Sequence, residues 1–200
     1  AALEARERAQ LASLDAARRE RKVVLASLDA AAAGRDAQLR KLREEAAALE
    51  RVLRQLERSA QARAPRDATP PAGRALPPGR WPVDGKLLAD FGQQRAGGQL
   101  RWDGLLAAAP AGTEVRAARA GRVVYSDWLP GLGLLLVLDH GRGYLSLYGH
   151  NQDLLKPVGT RVASGEPIAR VGDTGGQSRP ALYFEVRRNG RPQNPRQWVK

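Results

Sequence analysis

The chain has 200 residues, enough for one compact domain with an extension or for two small domains. Its net charge of +12 indicates either an anionic partner or only a solvated, Arg-rich surface. No basic-aromatic motif accompanies the charge, so nucleic acid is not predicted as a partner. The absence of cysteine excludes a disulfide framework and a thiolate zinc site.

No apolar run approaches the roughly 18 residues that a membrane span needs. The chain begins inside a helical pattern, without the layout of a signal peptide, and we expect it to be a processed or truncated form.

Residues 1–64 contain neither aromatic residues nor proline. Apolar residues recur there at alternating spacings of three and four, which predicts a coiled coil. Gly34, followed by Arg35 in the seam, predicts a break between a coiled-coil helix over 1–33 and a second helix within 34–58. The seam consists of Leu11, Leu14, Leu25, Leu28, Ala32, Leu39, Leu42, Ala46, Leu49, Leu53 and Leu56.

The helical region as a whole is either an exposed spacer or an arm that docks its leucines on a partner or on the C-terminal domain, and the second helix, 34–58, is the candidate regulatory arm. Five prolines within residues 59–80 predict a semi-rigid linker.

From Trp81 onward, short β-rich runs alternate with Gly and Pro turn signals, which predicts an all-β sandwich or barrel over 81–200. In the last strand, strict alternation places Leu182, Phe184 and Val186 in the core. Tyr183, Glu185 and Arg187 then point into a cleft. The predicted strands are Lys86–Phe91, Glu114–Ala117, Gly121–Asp127, Leu134–Asp139, Leu145–Tyr148, Ile168–Val171 and Leu182–Arg187.

Several landmarks of residues 81–200 occur in the order found in LytM (lysostaphin-type) metallopeptidase domains, which this region resembles. They include Phe91-Gly92, Gly104 to Pro110, Gly112-Thr-Glu-Val, Tyr148-Gly-His-Asn, Gly172-Asp-Thr-Gly and Leu182-Tyr-Phe-Glu-Val. The family cleaves peptidoglycan cross-links with one zinc ion. The resemblance therefore implies an all-β LytM-type domain preceded by an α-helical, coiled-coil or arm segment.

The resemblance places the family's three zinc ligands at Trp102, Leu106 and Tyr183, and one catalytic histidine at Ala181. Indole and isobutyl groups have no lone pair to donate, and a phenol has a pKa near 10, so a catalytic zinc site is not expected. His150 is the surviving catalytic-type histidine, and it either is structural or contacts a partner. His140, at the end of an apolar strand, is interpreted as structural. No catalytic residue, metal or cofactor is predicted.

Without its zinc ligands, the site is predicted to be a groove that binds a protein, although the same side chains could merely fill the space of the former metal site. The candidate groove residues are Trp102, Asp103, Leu106, Tyr148, His150, Tyr183, Glu185 and Arg187.

A ligand-less domain after a coiled coil resembles the murein hydrolase activators of this family. That resemblance implies activation of an N-acetylmuramoyl-L-alanine amidase in the periplasm at the division septum. It also implies recruitment through the coiled coil by an FtsEX-type membrane complex. Autoinhibition is expected from the arm, through Leu39, Leu42, Leu49 and Leu53. Peptidoglycan is a further possible ligand.

Three alternatives stay open at this stage. The chain could be a zinc endopeptidase with unconventional ligands around His150, His140 and Glu185. It could instead be a passive peptidoglycan-binding module, or a scaffold in which only the coiled coil functions.

Overall fold

A computed structural model describes the backbone of residues 2–63 and 79–199. Side chains are described within those ranges, apart from those of 2–5, 7–12, 15–16 and 60–63. Most of the predicted linker 59–80 therefore lies outside the described residues. Within the described ranges, no helix combines the length and hydropathy needed to cross a membrane.

The first element is a single helix, α1 (Ala2–Arg63), which runs through Gly34 without interruption. The break predicted at that glycine is wrong. A glycine in a helix interior costs only about 1 kcal/mol relative to alanine. The hydrogen-bonded turns on both sides of Gly34 outweigh that cost, because a helix propagates cooperatively once it is formed.

The chain divides into two compact units after Glu44, and α1 contributes to both. In the first unit, every side chain from residue 17 to residue 38 is exposed. The exposed side chains include Leu25 and Leu28 of the predicted coiled-coil seam. Leu39 is buried and Leu42 is half-buried.

The second unit contains a mostly antiparallel β domain, which confirms the predicted fold class. Each of the seven predicted strands has an observed counterpart, and β2, β3, β4, β9 and β12 were not predicted. The strands are β1 (Lys86–Ala89), β2 (Gln94–Arg95), β3 (Leu100–Arg101), β4 (Leu105–Ala108), β5 (Glu114–Arg116), β6 (Gly121–Leu129), β7 (Gly133–Asp139), β8 (Tyr144–Leu154), β9 (Arg161–Val162), β10 (Pro167–Val171), β11 (Ala181–Arg188) and β12 (Arg191–Gln193), followed by helix α2 (Pro195–Trp198).

The main sheet has the strand order β1-β4-β11-β8-β7-β6-β9. Strand β10 pairs with β5 and β8, and β12 pairs with β11. One face of β11 carries Leu182, Phe184 and Val186 into the main apolar core, as predicted. Strand β11 lies between β4 and β8 in this order, so the side chains on its other face have neighbours on both sides.

That other face continues across β7 and β8 as a second apolar cluster containing Leu135, Val137 and Leu147. Leu49 and Leu53, from the C-terminal part of α1, belong to the same cluster. We call residues 45–58 of α1 the docked segment. Its leucines recur at i and i+4, so they lie on one side of the helix and face the sheet together.

Candidate functional site

The outer face of β11 carries a row of three polar side chains at alternate positions. The Tyr183 hydroxyl donates to Glu185 Oε2 at 2.7 Å, and Arg187 Nε donates to Glu185 Oε1 at 2.5 Å. All three side chains are buried, so this face of the strand is covered. The alternation predicted from sequence placed them correctly on the side opposite Phe184.

Arg187 is the hub of the row, because two further carboxylates approach its guanidinium. Nη1 donates to Glu50 of the docked segment, and Nη2 lies 3.9 Å from Asp103 Oδ2. Burial alone would lower the pKa of Arg187, but the charges of Glu185 and Glu50 outweigh it and raise that pKa. Arg187 therefore stays charged at every physiological pH.

Two of the acids beside Arg187, Glu185 and Asp103, have pKa values above their ordinary ones. Burial raises the pKa of Glu185, and the attraction of Arg187 opposes this shift only in part. Desolvation likewise raises the pKa of Asp103. Tyr183 has a pKa well above its usual value because of burial and the neighbouring Glu185 charge, so the phenol remains protonated.

Beside this row lies an apolar floor, formed by Trp102, Leu106, Ala181 and Tyr183. Strand pairing sets Tyr183 opposite Leu106, and the Trp102 and Tyr183 rings are 6.3 Å apart. Gly104 allows this approach, since a Cβ there would lie 2.5 Å from the Phe184 carbonyl oxygen. The four positions that the family resemblance assigns to zinc binding and catalysis thus converge in space.

The side chains of this floor do not fit a catalytic zinc ion. Such a site needs three protein ligands from His, Asp, Glu or Cys, and an open position for water. Trp102 and Leu106 supply no donor atom, and the Tyr183 hydroxyl is protonated and engaged with Glu185. Within the described part of the chain, no three His, Cys, Asp or Glu side chains are grouped to share a metal.

His150 borders the floor, with its ring 6.2 Å from that of Tyr183. Its Nδ1 lies 2.8 Å from the Thr174 carbonyl oxygen and therefore carries the proton, because a carbonyl only accepts. Burial lowers the pKa of His150 and favours the neutral ring. The residue adopts a φ of 62°, a left-handed conformation that a histidine rarely adopts.

Tyr148 does not line the groove, and that assignment was wrong. It pairs with Phe184 across β8 and β11, and opposite residues of paired strands share a face, so its ring lies in the main core. Its hydroxyl oxygen accepts from the Ala118 amide and lies 3.0 Å from Ser146 Oγ. The other seven candidate residues lie together: they form the floor and the Arg187 row or, like Asp103 and His150, border them.

His140 is structural, as expected. It is buried, with Nδ1 2.8 Å from the Ala120 carbonyl oxygen and Nε2 2.7 Å from Ser146 Oγ. Its ring stacks edge-on against Trp198 at 4.9 Å.

Arg95 also lies at the groove, although it was not among the residues predicted from the sequence. It belongs to the two-residue strand β2, and its guanidinium carbon lies 4.3 Å from the centre of the Trp102 ring. No hydrophobic period or motif marks a strand of two residues, so only the Gly-rich turn at 97–98 could have indicated a hairpin here.

The geometry of the domain agrees with comparisons to known proteins. Residues 101–195 match the model of peptidase family M23. The chain carries an M23 domain. The LytM-type domain predicted from the sequence motifs is thereby confirmed.

Solved structures share the fold of the M23 domain. One is a zinc-containing peptidase from Vibrio cholerae, with a TM-score of 0.55, 30% identity, and coverage of 60% of this chain and 39% of that one. Another is the catalytic domain of lysostaphin from Staphylococcus simulans, with a TM-score of 0.52, 26% identity, and coverage of 56% and 90%.

Curated relatives of the M23 domain include two activators from Escherichia coli K12. The chain is 50% identical over 129 residues to the murein hydrolase activator EnvC, covering 64% of this chain and 30% of that one. It is 36% identical over 121 residues to the murein hydrolase activator NlpD, covering 60% and 31%. The chain thus spans about a third of the length of these relatives.

Proposed function

We propose that the chain is a non-catalytic activator of a peptidoglycan hydrolase, specifically an N-acetylmuramoyl-L-alanine amidase, and that it binds this enzyme through the groove. The observation that carries the proposal is the floor of Trp102, Leu106 and Tyr183 at the family's zinc positions. The similarity to the murein hydrolase activators EnvC and NlpD supports the role of activator.

The absence of catalysis follows from coordination chemistry. A zinc peptidase lowers the pKa of a metal-bound water to make its nucleophile. The groove offers an indole, an isobutyl group and a protonated phenol at the corresponding positions, so it has no means to generate that nucleophile.

Because the groove lacks a zinc-dependent nucleophile, we propose that it binds a partner protein instead. Half-buried Trp102 and buried Arg187 are residue types enriched at the centres of protein interfaces. An amphipathic helix with apolar side chains and a carboxylate complements an apolar floor beside a guanidinium.

The docked segment is proposed to restrain the activator, lowering its stimulation of the amidase without abolishing it. It buries Leu49 and Leu53 against the outer face of the sheet, and it engages Arg187 through Glu50. A partner that needs the same face must displace it. Leu39 and Leu42, the other residues of the proposed arm, belong to the first unit.

The exposed leucine stripe of the first unit is proposed to form the coiled coil that meets an FtsEX-type membrane complex. An exposed helix with an apolar stripe can bury that stripe by packing against a second helix. The activator would then act in the periplasm at the division septum, where its amidase cleaves the wall.

The deciding experiment mixes the chain with a purified amidase and isolated sacculi, and measures the release of wall fragments. We expect stimulation by the chain, none by Trp102→Ala, and full stimulation by the control Trp128→Ala, since Trp128 is exposed and outside the groove. Release without amidase, together with stoichiometric zinc in the purified chain, would establish an endopeptidase instead. Strong sacculus binding without stimulation would establish a passive wall-binding module.

A further inference from the structure

Arg95 and Trp102 form a pre-organised pair at the edge of the groove. The Trp102 amide donates to the Gln93 carbonyl at 3.0 Å, and the Trp102 carbonyl accepts from the Gly92 amide at 2.8 Å. These two bonds fix the Trp102 backbone at the base of the β2–β3 hairpin that carries Arg95. The guanidinium then rests over the indole at 4.3 Å, a cation–π contact that restricts its side-chain freedom.

The hydrogen-bond donors of Arg95 are uncommitted. Across the described part of the chain, its side chain makes no hydrogen bond and no ion pair, whereas Arg187 contacts Glu185, Glu50 and Asp103. The positive charge of Arg95 acts to lower the pKa of both Asp103 and His150. The groove therefore has two cations, and the docked segment neutralises only the one at Arg187.

We propose that Arg95 is the first contact for the partner hydrolase, taking a carboxylate of that protein while the docked segment is still in place. This inference rests on the proposed function. Glu50 occupies Arg187 until the segment leaves, so the initial encounter uses the guanidinium that is already available. Displacement of the segment then exposes Arg187 for a second contact.

The surroundings of Arg95 favour a protein carboxylate over a carboxylate of the wall. The indole that carries Arg95 also contacts the apolar floor of Leu106 and Tyr183. A partner protein that places a carboxylate next to an apolar side chain would contact the Arg95 guanidinium and the apolar floor at the same time.

The test measures the association rate of full-length variants with a purified amidase at low and at high salt. Arg95→Gln is expected to slow association by about 3- to 10-fold at low salt, with the difference shrinking at high salt. Arg95→Lys keeps the charge and should recover most of the rate. The control is Arg161→Gln, an exposed arginine on β9, the last strand in the order of the main sheet, whereas Arg95 belongs to the separate β2–β3 sheet.

A second experiment uses Glu50→Ala, which removes the contact of the docked segment with Arg187 and makes displacement of the segment easier. In that background Arg95→Gln should slow association by a smaller factor than in the unmodified chain. Equal slowing by Arg95→Gln and Arg161→Gln would overturn the inference, because net charge alone would then explain the effect. So would a loss confined to sacculus binding. Neither result touches the activator function, which fails only if the unmodified chain does not stimulate the amidase.

Discussion

The guanidinium of Arg187 on β11 donates to the carboxylate of Glu50 on α1, a residue 137 positions earlier in the chain. Arg187 is 2% exposed and Glu50 is 43% exposed, so the contact joins a buried cation to a carboxylate at the surface. Among its other partners, Glu185 is buried with it, and Asp103 Oδ2 lies 3.9 Å from Nη2. Glu50 is thus the part of this cluster that can leave.

Glu50→Ala is expected to weaken attachment of the docked segment by about 1 kcal/mol, because water screens a half-exposed ion pair. Stimulation of the amidase should rise, and limited proteolysis should cut residues 45–58 sooner. Glu44→Ala is the control, since that carboxylate is exposed on the same helix. If Glu50→Ala and Glu44→Ala behave alike, the ion pair does not restrain the segment.

Leu53→Ala is expected to cost about 2–4 kcal/mol of docking free energy, because Leu53 is 1% exposed and packs among the leucines of β7 and β8. Hydrogen exchange of the docked segment should accelerate accordingly. Leu28→Ala, at a position 55% exposed, should leave exchange in that segment unchanged. Unaltered exchange in Leu53→Ala would show that its burial does not hold the segment.

Phe184→Ala and Trp102→Ala should separate folding from binding. Phe184 is fully buried in the main core, so its truncation is expected to cost about 3–5 kcal/mol in urea unfolding. Trp102 is half-buried at the edge of the floor, and its loss should remove stimulation while the domain keeps its circular dichroism spectrum. Loss of the folded spectrum in Trp102→Ala would mean that the indole is part of the core.

Stability should depend on pH through His140, whose burial lowers its pKa from 6.5 to about 4. A depressed folded-state pKa means that the neutral ring's contribution is complete above about pH 6.5 and is lost as pH falls toward 4. From pH 7 to pH 5, the free energy of unfolding should fall by about 2 kcal/mol from this group. Tryptophan fluorescence during urea unfolding reports on it, because all four tryptophans lie in the β domain.

The control for this prediction is His140→Gln, which keeps a polar side chain but does not titrate between pH 5 and pH 7. Its unfolding free energy should be lower at pH 7, and its decrease toward pH 5 should be smaller by the same 2 kcal/mol or so. An undiminished decrease would assign the pH dependence to other titrating groups, such as His150, whose pKa burial also lowers.

Local rules were sufficient for much of the site. Strand alternation separated Phe184 from Tyr183, Glu185 and Arg187, because successive side chains of a strand must point to opposite faces. The order of motifs located Trp102, Leu106 and Tyr183 at equivalent family positions, and their chemistry follows from residue identity alone. The β-rich composition after Trp81 predicted the class of the domain.

Pairing and long-range packing decided the rest. Tyr148 belongs to the core because β8 sets it opposite Phe184, and no feature of its own segment specifies that register. Arg95 comes to Trp102 through a hairpin too short to show a period. Gly34 stays helical because the hydrogen-bonded turns around it outweigh its propensity. Side-chain chemistry and strand period are local properties that a sequence displays directly. The meeting of Glu50 with Arg187 depends on the whole fold, because only the complete sheet brings these two residues together.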